Sequence, residues 1–315
     1  MKISSHIIIS SVLLLAFGCK NKKTNTEDTV TLKNFPSAMV SFSASSSNPV
    51  FKGSGKETWD KNIRERGYIL FDDNIYKMWY TGYNDSISEK RFLGYATSTD
   101  GINWQRYSEQ PLLPEIWAED MHVTKYEKTY YMMAEGKGDI AHLLTSSDGI
   151  SWVSEGDLTI FKANGERIIP EPFGTPTLWI ENGKKYLFYE RNDFGIWLAT
   201  SEDFITWTNV QDEPVLKMGP ENYDSGAVAA NQIVKYNGKY YMLYHGSSNP
   251  DWMESGVVAL WTSSIAVSDD LVNWTKYPDN PILEGDYSSP ILVFDGIGYQ
   301  LYTMHDKVWL HDPVK

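Results

Sequence analysis

Cysteine is almost absent: Cys19 is the only one in 315 residues, so no disulfide can form within the chain. Basic charge is also scarce. Lys and Arg number 28 against 41 Asp and Glu, and the net charge of −13 argues against nucleic acid or an anionic lipid surface as a partner. Helix signals are few, and the apolar run at residues 7–17 is too short to span a bilayer as a helix. No metal-ligand spacing, phosphate-cradling glycine loop or nucleophile elbow occurs, so no cofactor is implied.

What is present begins with an export signature. Lys2 precedes the apolar run, and Ala16-Phe17-Gly18-Cys19 resembles a bacterial lipobox with Cys19 as the lipidated residue. Residues 1–19 therefore read as a lipoprotein signal peptide and residues 20–36 as a polar tether. Residues 37–315 read as one globular domain, expected to be monomeric and held at the bacterial cell envelope by its lipid. Aromatic residues are abundant, with 12 Trp, 20 Tyr and 12 Phe. That supply suits an all-β core, and aromatic faces also suit sugar rings.

Five segments repeat one pattern of apolar strand, turn and tyrosine-rich strand: YILFDDNIYKMWY, HVTKYEKTYYMMA, TLWIENGKKYLFY, QIVKYNGKYYMLY and ILVFDGIGYQLYT. Their reference tyrosines, Tyr76, Tyr130, Tyr186, Tyr240 and Tyr299, are 54, 56, 54 and 59 residues apart. Four continue into STDGINW, SSDGISW, SEDFITW and SDDLVNW, each a turn followed by a tryptophan-bearing strand. Four strands per unit and five units predict a five-bladed β-propeller. The fifth unit has no such Trp strand. Its outer strand is expected from AMVSFS, residues 38–43, because Pro49 follows Phe42 at the same seven-residue interval that separates Trp274 from Pro281.

In a propeller, the segments approaching each inner strand and the turns after each second strand share one face around the axis. The approach segments hold Asp60, Arg64, Glu65 and Arg66; Trp117, Glu119, Asp120 and His122; Glu171 and Thr175; Glu221 and Asp224; and Asp286. The return turns hold Tyr83, Glu135, Glu190, Arg191, His245 and His305. Strand alternation places Asp120 and His122 on one face. So many ionisable groups converging on one axis point to a ligand.

The WAEDMH stretch resembles the WAPDV(H) motif of glycoside hydrolase family 43, and the five-repeat layout is similar to families 32, 43 and 62 over residues 37–315. The resemblance implies that Asp120 orients substrate and tunes the catalytic acid. It implies a base at Glu65, where the family has Asp before Pro and this chain has Glu65-Arg66. The family's acid lies in an EGP-like segment replaced here by Gly174-Thr175-Pro176, with Glu171 and Glu190 the nearest substitutes. Some relatives of that family carry a structural Ca²⁺ on the axis.

The leading expectation is an exo-acting glycoside hydrolase using Asp120, Glu65 and Glu171 or Glu190 on the non-reducing end of an oligosaccharide. Arg64, Arg66 and Arg191 suggest an anionic sugar, uronic or sulfated, bound with Trp117, Tyr83, Asp224 and His305. An alternative is a lyase or dehydratase in which His122 or His245 moves the proton beside a uronate. A further alternative is a glycan-binding lipoprotein without catalysis.

Overall fold

Each of the five repeats folds into its own antiparallel sheet, and the innermost strands of consecutive sheets touch in cyclic order. The computed structural model describes residues 35–169, 173–283 and 285–314. The signal segment with Cys19, most of the tether and Glu171 lie outside the described residues. Blade I contains Tyr68–Asp72, Ile75–Tyr83, Phe92–Ser98 and Gln105–Arg106, with Asn62–Ile63 as a short addition. Blade II runs through Glu119–Tyr126, Thr129–Glu135, Ala141–Ser146 and Trp152–Asp157. Blade III runs through Gly174–Glu181, Lys184–Glu190, Gly195–Ser201 and Thr206–Asn209, with Thr159–Phe161 added in parallel at its edge. Blade IV comprises Ala227–Tyr236, Lys239–Ser247, Trp261–Ser268 and Trp274–Lys276. Blade V comprises Pro290–Phe294, Tyr299–Met304 and Lys307–Pro313, closed from the far end of the chain by Phe42–Ala44. The all-β five-bladed propeller expected from the repeats is the observed fold.

Local chemistry explains the repeats. The first hairpins of blades III and IV turn on Asn182-Gly183 and Asn237-Gly238, all with positive φ, which is the geometry that matches strand twist. The Ser-x-Asp turns share a second device. In blade IV, Ser268 Oγ accepts the Leu271 N–H at 3.0 Å, Asp270 Oδ1 accepts the N–H groups of Val272 and Asn273, and Trp274 Nε1 donates to the Leu271 carbonyl at 2.9 Å. Ser98, Ser146 and Ser201 head the same turn in blades I to III. Its fourth residue needs a left-handed backbone. Gly101 and Gly149 take it freely. Phe204 and Leu271 take it at a cost, offset by stacking on Tyr131 at 4.5 Å and by burial respectively. The apolar core is divided among the spaces between neighbouring blades.

Tyrosine hydroxyls tie blade to blade on the hairpin side. Tyr76 of blade I donates to Asp295 of blade V, Tyr130 of blade II to Asp72 of blade I, and Tyr240 of blade IV to Glu181 of blade III. Ring closure matches the expectation in partner but not in extent. Residues Ser37–Val40 form a helical turn; Phe42–Ala44 pairs, with Phe42 opposite Pro313 and Ala44 opposite His311, and Phe51–Lys52 pairs further along the same strand, with Phe51 opposite Val308. The equivalence of Pro49 with Pro281 holds in detail. Asn48, before Pro49, accepts the Leu310 N–H at 2.7 Å and donates to the Leu310 carbonyl at 2.6 Å. Asn280, before Pro281, does the same to Ile265 at 3.0 and 2.9 Å. An Asn48→Ala substitution leaves both Leu310 groups without that partner, and we expect a loss of about 2 kcal/mol and a thermal midpoint lower by roughly 5 °C. A midpoint unchanged in calorimetry would show that the closure does not depend on this clasp.

Candidate active site

Arg66 fills the axis. Its guanidinium donates to the Asp120 carbonyl at 3.0 Å, to Thr177 Oγ1 at 3.2 Å and to the Ala230 carbonyl at 2.9 Å, so one side chain of blade I joins blades II, III and IV. It is 2% exposed, which corrects the expectation that it binds substrate: its Nη donors are used within the ring, and its Nε is buried without a partner among the described residues. Burial lowers its pKa, and the charges of Asp120, Glu135, Glu190 and Asp193 oppose that shift. A metal ion on the axis would have to share the position with this cation.

Arg64 and Glu65 lie on the mouth side of this plug. Arg64 donates to Glu119 from Nη1 and to Glu65 from Nη2, both at 2.5 Å, and Trp117 Nε1 donates to the other Glu119 oxygen. His305 Nε2 stands 3.7 Å from Glu65 Oε2. Burial alone would raise the Glu65 pKa, but the charge and hydrogen bonds of Arg64, with the charge of His305, hold it at about 2. Asp120 behaves in the opposite way. Burial and then the Glu65 charge push it up to about 8, against Arg64 and Arg66, and its Oδ1 is buried with no hydrogen-bond partner among the described residues.

The inner strand of blade II slips register between Glu119 and His122, and Asp120 takes a left-handed backbone with φ 48. This bulge overrides the alternation that placed Asp120 and His122 on one face. Asp120 lines the cavity; His122 is 3% exposed, its ring centroid 4.4 Å from that of Tyr68, and its Nδ1 accepts the Leu178 N–H at 3.4 Å. Burial and the Arg66 charge lower His122 to about 3, so it is a neutral acceptor between blades rather than a proton carrier. Blade III has a matching slip between Gly174 and Thr177, with Thr175 at φ 47.

Glu135 and Glu190 close the opposite wall from the ends of the second strands of blades II and III. Gly174 runs between them. A Cβ there would stand 2.3 Å from Glu190 Oε1 and 2.6 Å from Glu135 Oε1, so only glycine lets both carboxyls approach. The Thr175 N–H donates to Glu135, and the Asp193 N–H donates to Glu190 at 2.5 Å. Burial raises the pKa of Glu135, Glu190 and Asp193. The charge of Asp120 adds to the shift of Glu135, that of Asp139 to Glu190, and that of Glu190 to Asp193.

Blade IV supplies the remaining wall. His245 Nδ1 is 3.0 Å from Asn231 Oδ1, and its ring meets Trp261 edge-on at 5.4 Å. Burial and Arg66 hold His245 at about 3, against the pull of Glu65. Trp252 packs edge-on against Trp261 at 5.2 Å. Together with Met253, Val257, Val258 and Ala259, these rings complete a cavity of about 600 Å³ that also includes Asp286, Ser288, Ser289 and His305.

Of the residues expected from the sequence, Arg64, Glu65, Asp120, Glu190, His245 and His305 meet in this cavity. Glu135, Thr175 and Asp286, also expected on the axial face, line it as well, whereas Tyr83, Trp117, Arg191 and Asp224 do not. Tyr83 and Trp117 flank the Arg91 guanidinium at 4.7 and 5.8 Å. Arg191 points elsewhere, its Nε buried without a partner. Asp224 is fully buried, accepting from Lys276 at 2.6 Å and Tyr244 at 3.2 Å. The anionic-sugar expectation therefore loses its basis. Glu65, Asp120, Glu135, Asp139, Glu190, Asp193 and Asp286 face the cavity, and its one guanidinium, Arg64, is already paired twice. The sequence places Glu135 at a return turn on this face, where YYMMAE matches YLFYE and Glu135 matches Glu190, but outside the expected catalytic set, and it does not mark Asp139 or Asp193.

The sequence profile of glycoside hydrolase family 130, described as beta-1,4-mannooligosaccharide phosphorylase, matches residues 66–261, well over half of the chain. A 1,2-beta-oligomannan phosphorylase from Thermoanaerobacter sp. (strain X514) is 28% identical over 179 residues, 52% of this chain and 56% of that protein. The chain thus spans about half the length of that curated relative. Among solved structures, a putative glycoside hydrolase from Parabacteroides distasonis superposes with a TM-score of 0.71 at 19% identity, covering 87% of this chain and 97% of that one. Another, described with the statement that the family 130 mannoside phosphorylases contain glycoside hydrolases targeting beta-1,2 mannosidic linkages in Candida mannan, gives 0.65 at 17% identity, covering 88% and 95%. These structural likenesses bear on the fold. Asp120, Glu135 and Glu190 fall within the matched residues, whereas Arg64, Glu65 and His305 fall outside them. The likeness of WAEDMH to family 43 reflects the propeller the families share; the chain belongs to glycoside hydrolase family 130.

Proposed function

We propose that the protein cleaves the terminal β-mannosidic bond of a neutral mannooligosaccharide, and does so by hydrolysis. The observation that carries this reading is the divergence of two neighbouring carboxyls, Glu65 at about 2 and Asp120 at about 8. Paired groups driven apart in this way divide acid and base roles between them. Asp120 protonates the departing glycosidic oxygen, while ionised Glu65 takes a proton from the water that attacks the anomeric carbon. This gives Asp120 the proton itself, rather than the orienting role that the likeness to family 43 suggested. The mannoside class is supported by the family description and by the phosphorylase from Thermoanaerobacter.

Phosphorolysis is the second reading, and the same two descriptions favour it. The pairing of the cavity's arginine favours water. A phosphate dianion would find Arg64 committed to Glu65 and Glu119, with ionised Glu65 beside it. Elimination at a uronate has little support, since it needs a free guanidinium and a basic imidazole where Arg66 and His122 are used inside the ring.

Incubation with β-1,2-mannobiose, with and without inorganic phosphate, separates the readings. Mannose alone at an unchanged rate is the expected product; mannose 1-phosphate formed only with phosphate would replace hydrolysis by phosphorolysis. Asp120→Asn is expected to lower kcat by about 10²–10⁴-fold, whereas a pure binding protein would turn over no substrate in either form. In the intact enzyme kcat/KM should fall as pH rises through about 8, where Asp120 loses its proton. Arg64→Gln removes the main opposition to burial at Glu65 and leaves only the His305 charge and a backbone hydrogen bond, so its pKa rises and the acidic limb of the profile should move to higher pH. An acidic limb that stays in place would remove Glu65 from the mechanism. The lipobox-like segment extends the proposal to location: Cys19→Ala should shift the protein from the membrane fraction to the soluble one, and an unchanged distribution would count against a lipid anchor.

A further inference from the structure

The segment between the second and third strands of blade IV, residues 248–260, stands apart chemically from the rest of the cavity. Its start is fixed where the Asn249 N–H donates to Ser247 Oγ and where the Asn249 backbone lies 2.5 Å from the place a Cβ on Gly226 would occupy. Its end is fixed by the Trp261 N–H donating to Asp286 Oδ1 at 2.8 Å. Between these anchors the side chains turned to the cavity are Trp252, Met253, Val257, Val258 and Ala259. Met253 is 57% and Val258 86% exposed, so this wall rises to the mouth, while Asp120 and Glu65 lie against the Arg66 plug at the closed end.

Resting on the mannosidase reading above, the geometry points to this segment as the subsite for the leaving group. A terminal sugar with its anomeric carbon at Asp120 cannot send its substituent through the floor, which Arg66 closes, so the substituent leaves toward the mouth and meets the apolar wall. Large apolar side chains exposed at the rim of a polar cavity are a contact surface awaiting an apolar partner. The valine, methionine and alanine side chains offer no hydrogen bonds that would match a particular hydroxyl pattern. Recognition there follows contact area, so the enzyme is strict for the terminal sugar and tolerant of what that sugar is attached to. Leaving groups with an apolar face are accepted, including alkyl chains as well as the ring of a second sugar.

The test uses methyl β-mannoside and hexyl β-mannoside as competitive inhibitors of β-1,2-mannobiose cleavage. The two differ only in apolar length at the leaving-group position. The expected result is a Ki for the hexyl compound about tenfold lower than for the methyl compound, reduced to near equality in the Met253→Ser/Val258→Ser double variant. Equal Ki values in the unsubstituted protein, or a tenfold ratio that survives in the double variant, would overturn the subsite. If the unsubstituted protein leaves β-1,2-mannobiose intact, the mannosidase reading fails and the subsite falls with it. Cleavage of mannobiose with equal inhibitor constants removes the subsite alone.

Discussion

The ring depends on one guanidinium. Arg66 is the charge that four inner strands have in common, because it donates to the backbone of blades II and IV and to a threonine of blade III while belonging to blade I. A buried cation of this kind is costly unless its donors are satisfied and opposite charge is near. Both conditions are met in part by the groups around the cavity: the Nη donors are taken up while Nε is buried without a partner among the described residues. The carbonyls that accept from it belong to the bulged segments of the inner strands, and the carboxyls whose charge acts on it, Asp120, Glu135, Glu190 and Asp193, are themselves raised by burial. Structural closure of the axis and the proton affinities of the site thus have one origin.

Two arginines separated by a single residue do opposite work for the same reason. Arg66 has a left-handed backbone that turns it into the axis, while Arg64 stays at the mouth and is held by Glu119 and Glu65. Glu65, between them in sequence, receives the charge and hydrogen bonds of half-buried Arg64, whereas Asp120 receives mainly burial and the neighbouring negative charge. Desolvation affects both carboxyls. The partner available after desolvation decides which of them keeps the proton.

The parts of the molecule legible in the sequence are those encoded locally. A hairpin turn such as Asn237-Gly238 and a Ser-x-Asp turn such as Ser268–Asp270 each specify their own geometry within a few residues, so their recurrence reveals the blades and even the match between Pro49 and Pro281. The site is legible only in outline, because the direction of each side chain is set by contacts across the ring. Strand alternation put Asp120 beside His122, and a one-residue slip separated them. Arg66 and Asp224 looked like ligand-binding charges because nothing nearby in sequence shows that Ala230 or Lys276 will take their bonds. Glu135 was placed on the axial face by its return turn, as Glu190 was, but no motif marked it for the catalytic set.

The way the ring closes bears on when the cavity is complete. Asn48 and Leu310 meet across 262 residues, and the contact between Glu65 and His305 spans nearly as much of the chain. Contacts of such long separation carry a large loop-closure entropy and form late relative to local hairpins. During synthesis the first four blades can assemble in order as they emerge, but the last blade has no outer strand until the C-terminal strand reaches back to the N-terminal one. The wall of the cavity that contains His305 and Ser288 arrives with it. A nascent chain in which the residues beyond about 285 have not yet emerged would therefore hold most of its core without the cavity wall that contains Ser288 and His305.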